Sequence, residues 1–262
     1  MKLSVLTENV ASGFFLAEFG LSYFIEHENK SILFDTGNTD VFIQNAKKLS
    51  IDLDTADAIV LSHGHWDHGN GLKYLRDKKL ICHPDVFLKR FRKNSRINIG
   101  LNSSYEEMDK RFELVLSRGP FHLSNNMIYL GEIPRIYPFE SQTTTFITQD
   151  GKEDFVPDDS ALAIMLDDEL IVISGCAHSG ICNVVEYAKQ ITGLHKINSV
   201  IGGFHLKENN KQTQETIQYF KDQQIRNVLP SHCTQLPALA AFYDAFKMEQ
   251  VKTGQVFNFI KT

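Results

Sequence analysis

Residues 63–68 read His-Gly-His-Trp-Asp-His, three imidazoles and a carboxylate within six positions. Neutral imidazole and ionised carboxylate are the groups that ligate zinc, at roughly 2.0–2.2 Å. The order of the side chains suits two neighbouring ions, His63 and His65 serving one, Asp67 and His68 the other. Gly64, Gly69 and Gly71 interrupt the loop, and their spacing predicts freedom to take positive φ where the turn requires it. A lone loop histidine would say little, but four ligand-type residues in this order point to metal chemistry.

More ligand-type residues stand directly after short apolar runs. Ile32-Leu33-Phe34 leads into Asp35, residues 171–177 into His178, 199–204 into His205, and 227–231 into His232. Ligands delivered from several strand ends to one rim give an α/β scaffold a rigid frame with an open top.

That arrangement demands particular elements. Stretches 3–6, 21–26 and 31–34 are β-rich and bounded by turn residues, as in a hairpin series. Residues 41–49 have helical spacing and end in Lys47 and Lys48, which suit a helix C-terminus. The apolar run 58–61 reads as a buried strand feeding the histidine loop, and helical character resumes at 72–76. Residues 84–118 are mixed and charged and read as an insertion of one or two helices. Residues 143–145 read as a strand segment. The second half alternates again: strands at 161–166 and 170–173, helix 181–192, strand 199–201, helix 213–223, strand 227–229 and helix 236–248. Two strand–helix halves opening on hairpins suggest two mixed sheets with helices outside, in a single domain spanning 1–262, the alternative being a generic doubly wound α/β domain.

Composition limits the function classes. The 262 residues are 42% hydrophobic and 23% charged, with a net charge of -5, as in ordinary globular proteins. That balance argues against nucleic acid as a partner, which usually demands a concentrated basic face. Lys89, Arg90, Arg92, Lys93 and Arg96, interleaved with Phe87 and Phe91, read as a solvated helix face; the alternative is an anion-steering patch. Cys82, Cys176, Cys182 and Cys233 form no CxxC pair and are too sparse for a disulfide framework. The opening residues lack the apolar core of a signal peptide, and no stretch approaches the roughly 20 apolar residues of a membrane span. The expectation is a reduced, cytoplasmic protein with no membrane partner.

FDTG at 34–37, HGHWDH at 63–68, SGCAH at 174–178 and PSHC at 230–233 resemble, in order, the motifs of the metallo-β-lactamase-fold superfamily. LGEIPR at 130–135, PDDSALAI at 157–164, SGCAHSGICNVVEYA at 174–188 and IGGFHL at 201–206 are similar to its dihydropteroate-synthase-like branch. That branch includes the methanopterin-pathway enzyme that makes a dihydropterin–ribofuranosylaminobenzene phosphate conjugate. The resemblance implies a four-layer αββα sandwich with a dinuclear site. It assigns His63, His65 and His178 to a first metal and Asp67, His68 and His232 to a second. Asp35 would accept a hydrogen bond from a ligand imidazole and fix its tautomer. Two divalent ions are implied, zinc foremost, with iron or manganese also suited to the ligand set.

One departure from the family pattern matters. The superfamily usually carries a bridging aspartate at the end of the strand after His178. Here the chain reads Ile201-Gly202-Gly203-Phe204-His205, with no carboxylate before Glu208. A neutral imidazole nitrogen has one in-plane lone pair, so His205 cannot bridge as a carboxylate does. His205 is expected as a terminal ligand or as a donor to a substrate phosphate or carbonyl oxygen. Asp158 or Asp159 is the alternative source of a carboxylate.

The expected activity is metal-dependent hydrolysis of a small anionic, phosphoester-type substrate by a metal-bound hydroxide. Asp67 would orient that hydroxide, and His205 would protonate the leaving group or hold an oxyanion. Arg135 would be a fork for phosphate or carboxylate, its alternative being an ordinary structural ion pair. Cys176 and Cys233 are expected as small packed residues, Thr234 as a weak anion contact and Trp66 as a cover for the metal loop. The alternative functions are a pterin-conjugate synthase, in which the metals activate a pyrophosphate leaving group, and a non-catalytic metal or ligand sensor.

Overall fold

Apolar strand runs and helix punctuation decide where each element starts and stops. The structure, a computed structural model, describes residues 1–260. In chain order its first strands are β1 (Lys2–Thr7), β2 (Ser22–His27), β3 (Lys30–Phe34), β4 (Ala58–Val60), β5 (Lys79–Cys82), β6 (Arg90–Arg92) and β7 (Glu113–Leu116). Then come β8 (Phe121–Ser124), β9 (Met127–Tyr129), β10 (Phe146–Thr148), β11 (Ala161–Leu166) and β12 (Glu169–Ser174). The last are β13 (Lys196–Gly203), β14 (Asn227–Ser231) and β15 (Val256–Asn258). The helices are α1 (Val41–Lys48), α2 (Trp66–Gly69), α3 (Tyr105–Asp109), α4 (Ile181–Thr192), α5 (Lys211–Asp222) and α6 (Leu236–Phe246).

The chain divides into two compact units. One comprises Met1–Arg118, Thr144–Asp154 and Lys252–Phe259. Its seven-stranded sheet runs β15-β1-β2-β3-β4-β5-β7, antiparallel from β15 to β3 and parallel from β3 to β7. Helix α1 packs on β1, and Phe42 and Ala46 from that helix join Leu6, Phe24, Leu33, Ile59 and Leu80 in one apolar core. A small ribbon, β6 with β10, completes the unit.

The other unit comprises Gly119–Thr143, Phe155–Val251 and Ile260. Its six-stranded sheet runs β14-β13-β12-β11-β9-β8, with β12, β13 and β14 mutually parallel. Helix α4 packs on β11 and β12, α6 on β14, and α5 on both helices. Helix α4 ends where Gly193 turns left-handed at φ 72°, and α5 starts where the Asn210 side chain accepts from Thr213 N. Phe204, Phe220 and Phe242 meet edge to face with centroids 5.6–6.0 Å apart, at the aromatic contact distance, and so anchor the end of β13. The two mixed sheets with packed helices agree with the expected α/β fold class.

Several local expectations are corrected. Of residues 84–118, helix occupies only α3 and the 3-10 turn Pro84–Phe87, while β7 joins the main sheet beside β5. The basic stretch is no helix face. Arg90 begins a strand and is fully buried, its Nε 3.1 Å from Asp154 Oδ2. A guanidinium accepts that depth because its charge is paired there. Lys93 pairs outside with Glu153 at 2.8 Å. Residues 70–74 form a 3-10 turn, and the strand expected at 143–145 is Phe146–Thr148 instead. Among the described residues no helix is long and apolar enough to cross a membrane.

Candidate metal centre

In the first unit, β3 and β4 run parallel with Phe34 opposite Val60. Asp35 and the loop that starts at Leu61 therefore leave the sheet side by side, and Asp35 N donates to the Val60 carbonyl at 2.9 Å. Ser62 donates to the Asp35 carboxylate twice, from its backbone N and from Oγ, each at 2.7 Å. His68 Nδ1 lies 2.7 Å from Asp35 Oδ2. His63 Nδ1 lies 2.9 Å from Ser62 Oγ.

Counting hydrogens assigns the tautomers. Ser62 Oγ has one hydrogen and gives it to Asp35, so His63 Nδ1–H must donate to Ser62. His68 Nδ1–H likewise donates to Asp35, and both Nε2 atoms keep a lone pair. His63 Nε2 then stands 3.0 Å from His65 Nδ1. Two nitrogens that share a tetrahedral zinc ion are about 3.3 Å apart, given Zn–N bonds of roughly 2.0–2.1 Å. The pair therefore stands close to the spacing of two nitrogens on a shared cation. Asp67 Oδ2 lies 3.9 Å from His68 Nε2, and all four side chains are buried.

Space, not positive φ, explains the loop glycines: none of Gly64, Gly69 and Gly71 takes positive φ. A Cβ on Gly64 would lie 2.1 Å from the Val86 carbonyl oxygen. Trp66 stacks on Phe19, ring centroids 5.7 Å apart, and so braces the loop from outside.

In the second unit, β12, β13 and β14 end in register, Ser174 beside Gly202 and Gly203 beside Ser231. His178, His205 and His232 follow those ends, with the His178 and His205 ring centroids 4.3 Å apart. His205 and His232 both have left-handed φ, 51° and 50°, an uncommon state for residues with a Cβ.

The loop carrying His178 is held by its main chain. The His178 carbonyl accepts from Arg135 Nη1 at 3.2 Å and from Ser141 Oγ at 2.6 Å. Arg135 Nη2 donates to the Phe155 carbonyl, and the guanidinium lies over the Phe155 ring. Two of the guanidinium N–H groups expected to form the fork thus donate to backbone oxygens, one of them that of His178. Burial lowers the Arg135 pKa, against the pull of Asp159, Glu140 and Glu132. Asp159 Oδ2 accepts from Ser179 N at 2.9 Å. Burial pushes the Asp159 carboxyl up to about 6, opposed by N–H donors at Ser179 and His178. Asp159 braces the His178 loop, and Asp158 beside it is fully buried.

Cys176 and Cys233 do more than fill space. Cys233 Sγ accepts from His205 N at 3.3 Å and contacts the Cys176 carbonyl at 3.5 Å. Burial alone would raise the Cys233 thiol, yet hydrogen bonds with Cys176 and His205 and the nearby imidazoles hold it well below its ordinary value. The sequence signal was proximity: each cysteine lies within two residues of a strand-end histidine.

A family model described as the metallo-beta-lactamase superfamily matches residues 16–83. An uncharacterized protein of Methanocaldococcus jannaschii is 37% identical over 266 residues, covering 98% of this chain and 96% of its own. The 7,8-dihydropterin-6-methyl-4-(beta-D-ribofuranosyl)-aminobenzene-5'-phosphate synthase of the same organism is 32% identical over 286 residues, covering 99% and 97%. The crystal structure of a metal-dependent hydrolase of the beta-lactamase superfamily superposes with a TM-score of 0.86 and 27% identity, covering all of both chains.

Proposed function

The chain belongs to the metallo-β-lactamase superfamily, and from that premise we propose that it is a metal-dependent hydrolase of a small anionic, phosphoester-type substrate. Residues 1–262 would act as one cytoplasmic domain. His63, His65 and His178 would hold one divalent ion, and Asp67, His68 and His232 a second, with zinc the favoured metal. The observation that carries this reading is the pair His63 Nε2 and His65 Nδ1, 3.0 Å apart, with the hydrogen of His63 turned away to Ser62.

When bound, the ions would supply Lewis acidity that makes water acidic near neutral pH and offsets charge on the reacting anion. The protein's own groups do the rest. Asp67 would orient the attacking water by accepting one of its hydrogens. Asp35 and Ser62 keep His68 and His63 in the ligating tautomer. Arg135, Ser141 and Asp159 hold the backbone from which His178 projects. The choice for His205 between terminal ligand and substrate donor is favoured toward ligand by its two sulfur neighbours.

The test is metal content of freshly purified protein, paired with turnover of a chromogenic phosphodiester with and without chelator. About two ions per chain and chelator-sensitive turnover, lost in Asp67→Asn, are expected from these ligand sets. Metal-loaded protein with no turnover on phosphoesters would sink the hydrolase reading.

A second reading is favoured by the 32% identity to the synthase over nearly the whole chain. In that reaction the same residues would serve a pyrophosphate leaving group. Pyrophosphate release from a dihydropterin diphosphate that requires the ribofuranosylaminobenzene phosphate acceptor would select it over hydrolysis.

A further inference from the structure

We propose that Cys176, His205 and Cys233 form a sulfur-containing ligand set for a thiophilic divalent ion such as zinc. The inference deepens the metal-dependent reading above by naming the metal class. It rests on groups that the HxHxDH motif does not include.

The positions are regular. Strands β12, β13 and β14 are parallel neighbours ending at Ser174, Gly203 and Ser231. Each of the three residues lies two positions beyond its strand, with His205 on the central strand and a cysteine on either side. Their ligand atoms, two Sγ and an imidazole nitrogen, all lie within 4.8 Å of one another. Around a tetrahedral zinc ion with Zn–S near 2.3 Å, such atoms stand about 3.6–3.8 Å apart.

The backbone is shaped to admit the sulfurs. A Cβ on Gly203 would lie 2.4 Å from the Gly175 carbonyl oxygen, 2.6 Å from Cys233 Sγ and 3.1 Å from Cys176 Cα, so the close approach of the neighbouring loop, together with the sulfur, requires a glycine there. Ala177, His205 and His232 all have left-handed φ, 53°, 51° and 50°. One such residue thus follows Cys176, one is the imidazole ligand, and one precedes Cys233. Left-handed backbone also occurs at ordinary turns of this chain such as Glu28 and Asp167, but here it recurs in three adjacent loops that carry ligand-type residues, where strain commonly collects at functional sites. His205 N–H points at Cys233 Sγ from 3.3 Å, a donor that would remain to stabilise a thiolate.

The chemistry discriminates among metals. Thiolate ligands favour zinc, copper(I) and iron–sulfur centres, while carboxylate and water ligands suit magnesium and manganese. A thiolate also has more than one lone pair, which an imidazole nitrogen lacks. The sulfurs therefore supply capacity that the missing bridging aspartate would otherwise have provided.

The experiment is cobalt(II) titration of the full-length, metal-stripped protein, followed by absorption. Thiolate-to-cobalt charge transfer in the near ultraviolet is expected in the unaltered protein and in His63→Ala/His68→Ala. It should vanish in Cys176→Ser/Cys233→Ser, with zinc content falling below that of the unaltered protein. X-ray absorption at the zinc edge of the unaltered protein needs no variant, and a Zn–S shell near ~2.3 Å is expected there. Absence of both the charge-transfer band and the Zn–S shell would overturn the proposal, as would a band unchanged in the double serine variant. Ester turnover distinguishes the two readings. Turnover without sulfur ligation sinks this inference alone, and sulfur ligation without turnover sinks the hydrolase reading alone.

Discussion

Asp35 Oδ2 lies 2.7 Å from His68 Nδ1, with both side chains fully buried. Ser62 fills the remaining valences of the same carboxylate from its N and Oγ and then receives the His63 Nδ1 hydrogen. One buried carboxylate therefore sets the proton positions of two imidazoles from below the loop.

Asp35→Asn keeps the shape but puts an amide donor among donors, so His68 or Ser62 must turn. Metal affinity should fall about 10–100-fold, the usual loss for a partner of a metal-ligating histidine. Competition with a chromophoric chelator measures it. Unchanged affinity would show that Asp35 serves folding alone.

Gly64→Ala would press a methyl group into the Val86 carbonyl, 2.1 Å from its oxygen. Neither partner is the end of a flexible side chain, so the backbone between His63 and His65 must shift. A loss of roughly 1–3 kcal/mol in urea unfolding is expected, as for other overpacked sites. Metal binding should weaken in parallel.

Arg135→Ala removes the donors to the His178 and Phe155 carbonyls. Water can replace them in part because the bond to the Phe155 carbonyl is exposed while that to the His178 carbonyl is partly buried, so the stability loss should be only about 1 kcal/mol. The positioning role predicts weaker metal binding and a lower kcat. A rise in KM for anionic substrates with metal affinity unchanged would instead mark the guanidinium as a substrate contact.

Glu140 is buried beneath the start of α4 and accepts from Cys182 N at 3.0 Å and Asn183 N at 2.8 Å. Burial pushes its pKa from an ordinary 4.5 up to about 7, with the two N–H donors opposing. Between those values the folded chain holds a proton that the unfolded chain has released, so stability falls as pH rises. At about 1.4 kcal/mol per unit, the contribution is at most about 3–4 kcal/mol. Urea midpoints should drop between pH 5 and pH 7, roughly the span of that raised value. In Glu140→Gln this component of the slope should be gone.

Local features were legible in the string of residues. Helix Ile181–Thr192 has the bounds that its periodicity predicts, because its stop signal, Gly193, adjoins it. The strands leading to Asp35, His63, His178, His205 and His232 were marked by apolar runs that end in polar residues. Residues 84–118 misled because their charges imitate a helix face, whereas Arg90 turns inward to a carboxylate 64 positions later, Asp154.

The ligand-type residues and the strand–helix alternation can be read from neighbours a few positions apart, and the absent bridging carboxylate from the resemblance to the family pattern. Folding adds which of them meet. His205 N reaches Cys233 across 28 positions, and Cys233 Sγ reaches the Cys176 carbonyl across 57. Those meetings follow from the parallel register of β12, β13 and β14. Likewise Arg135 reaches the His178 carbonyl across 43 positions. Periodicity and cap chemistry act over one or two turns of chain, but strand register is set by packing between distant segments. No composition or spacing rule encodes that distance, so the sulfur set and the clamp on His178 come into view only in three dimensions.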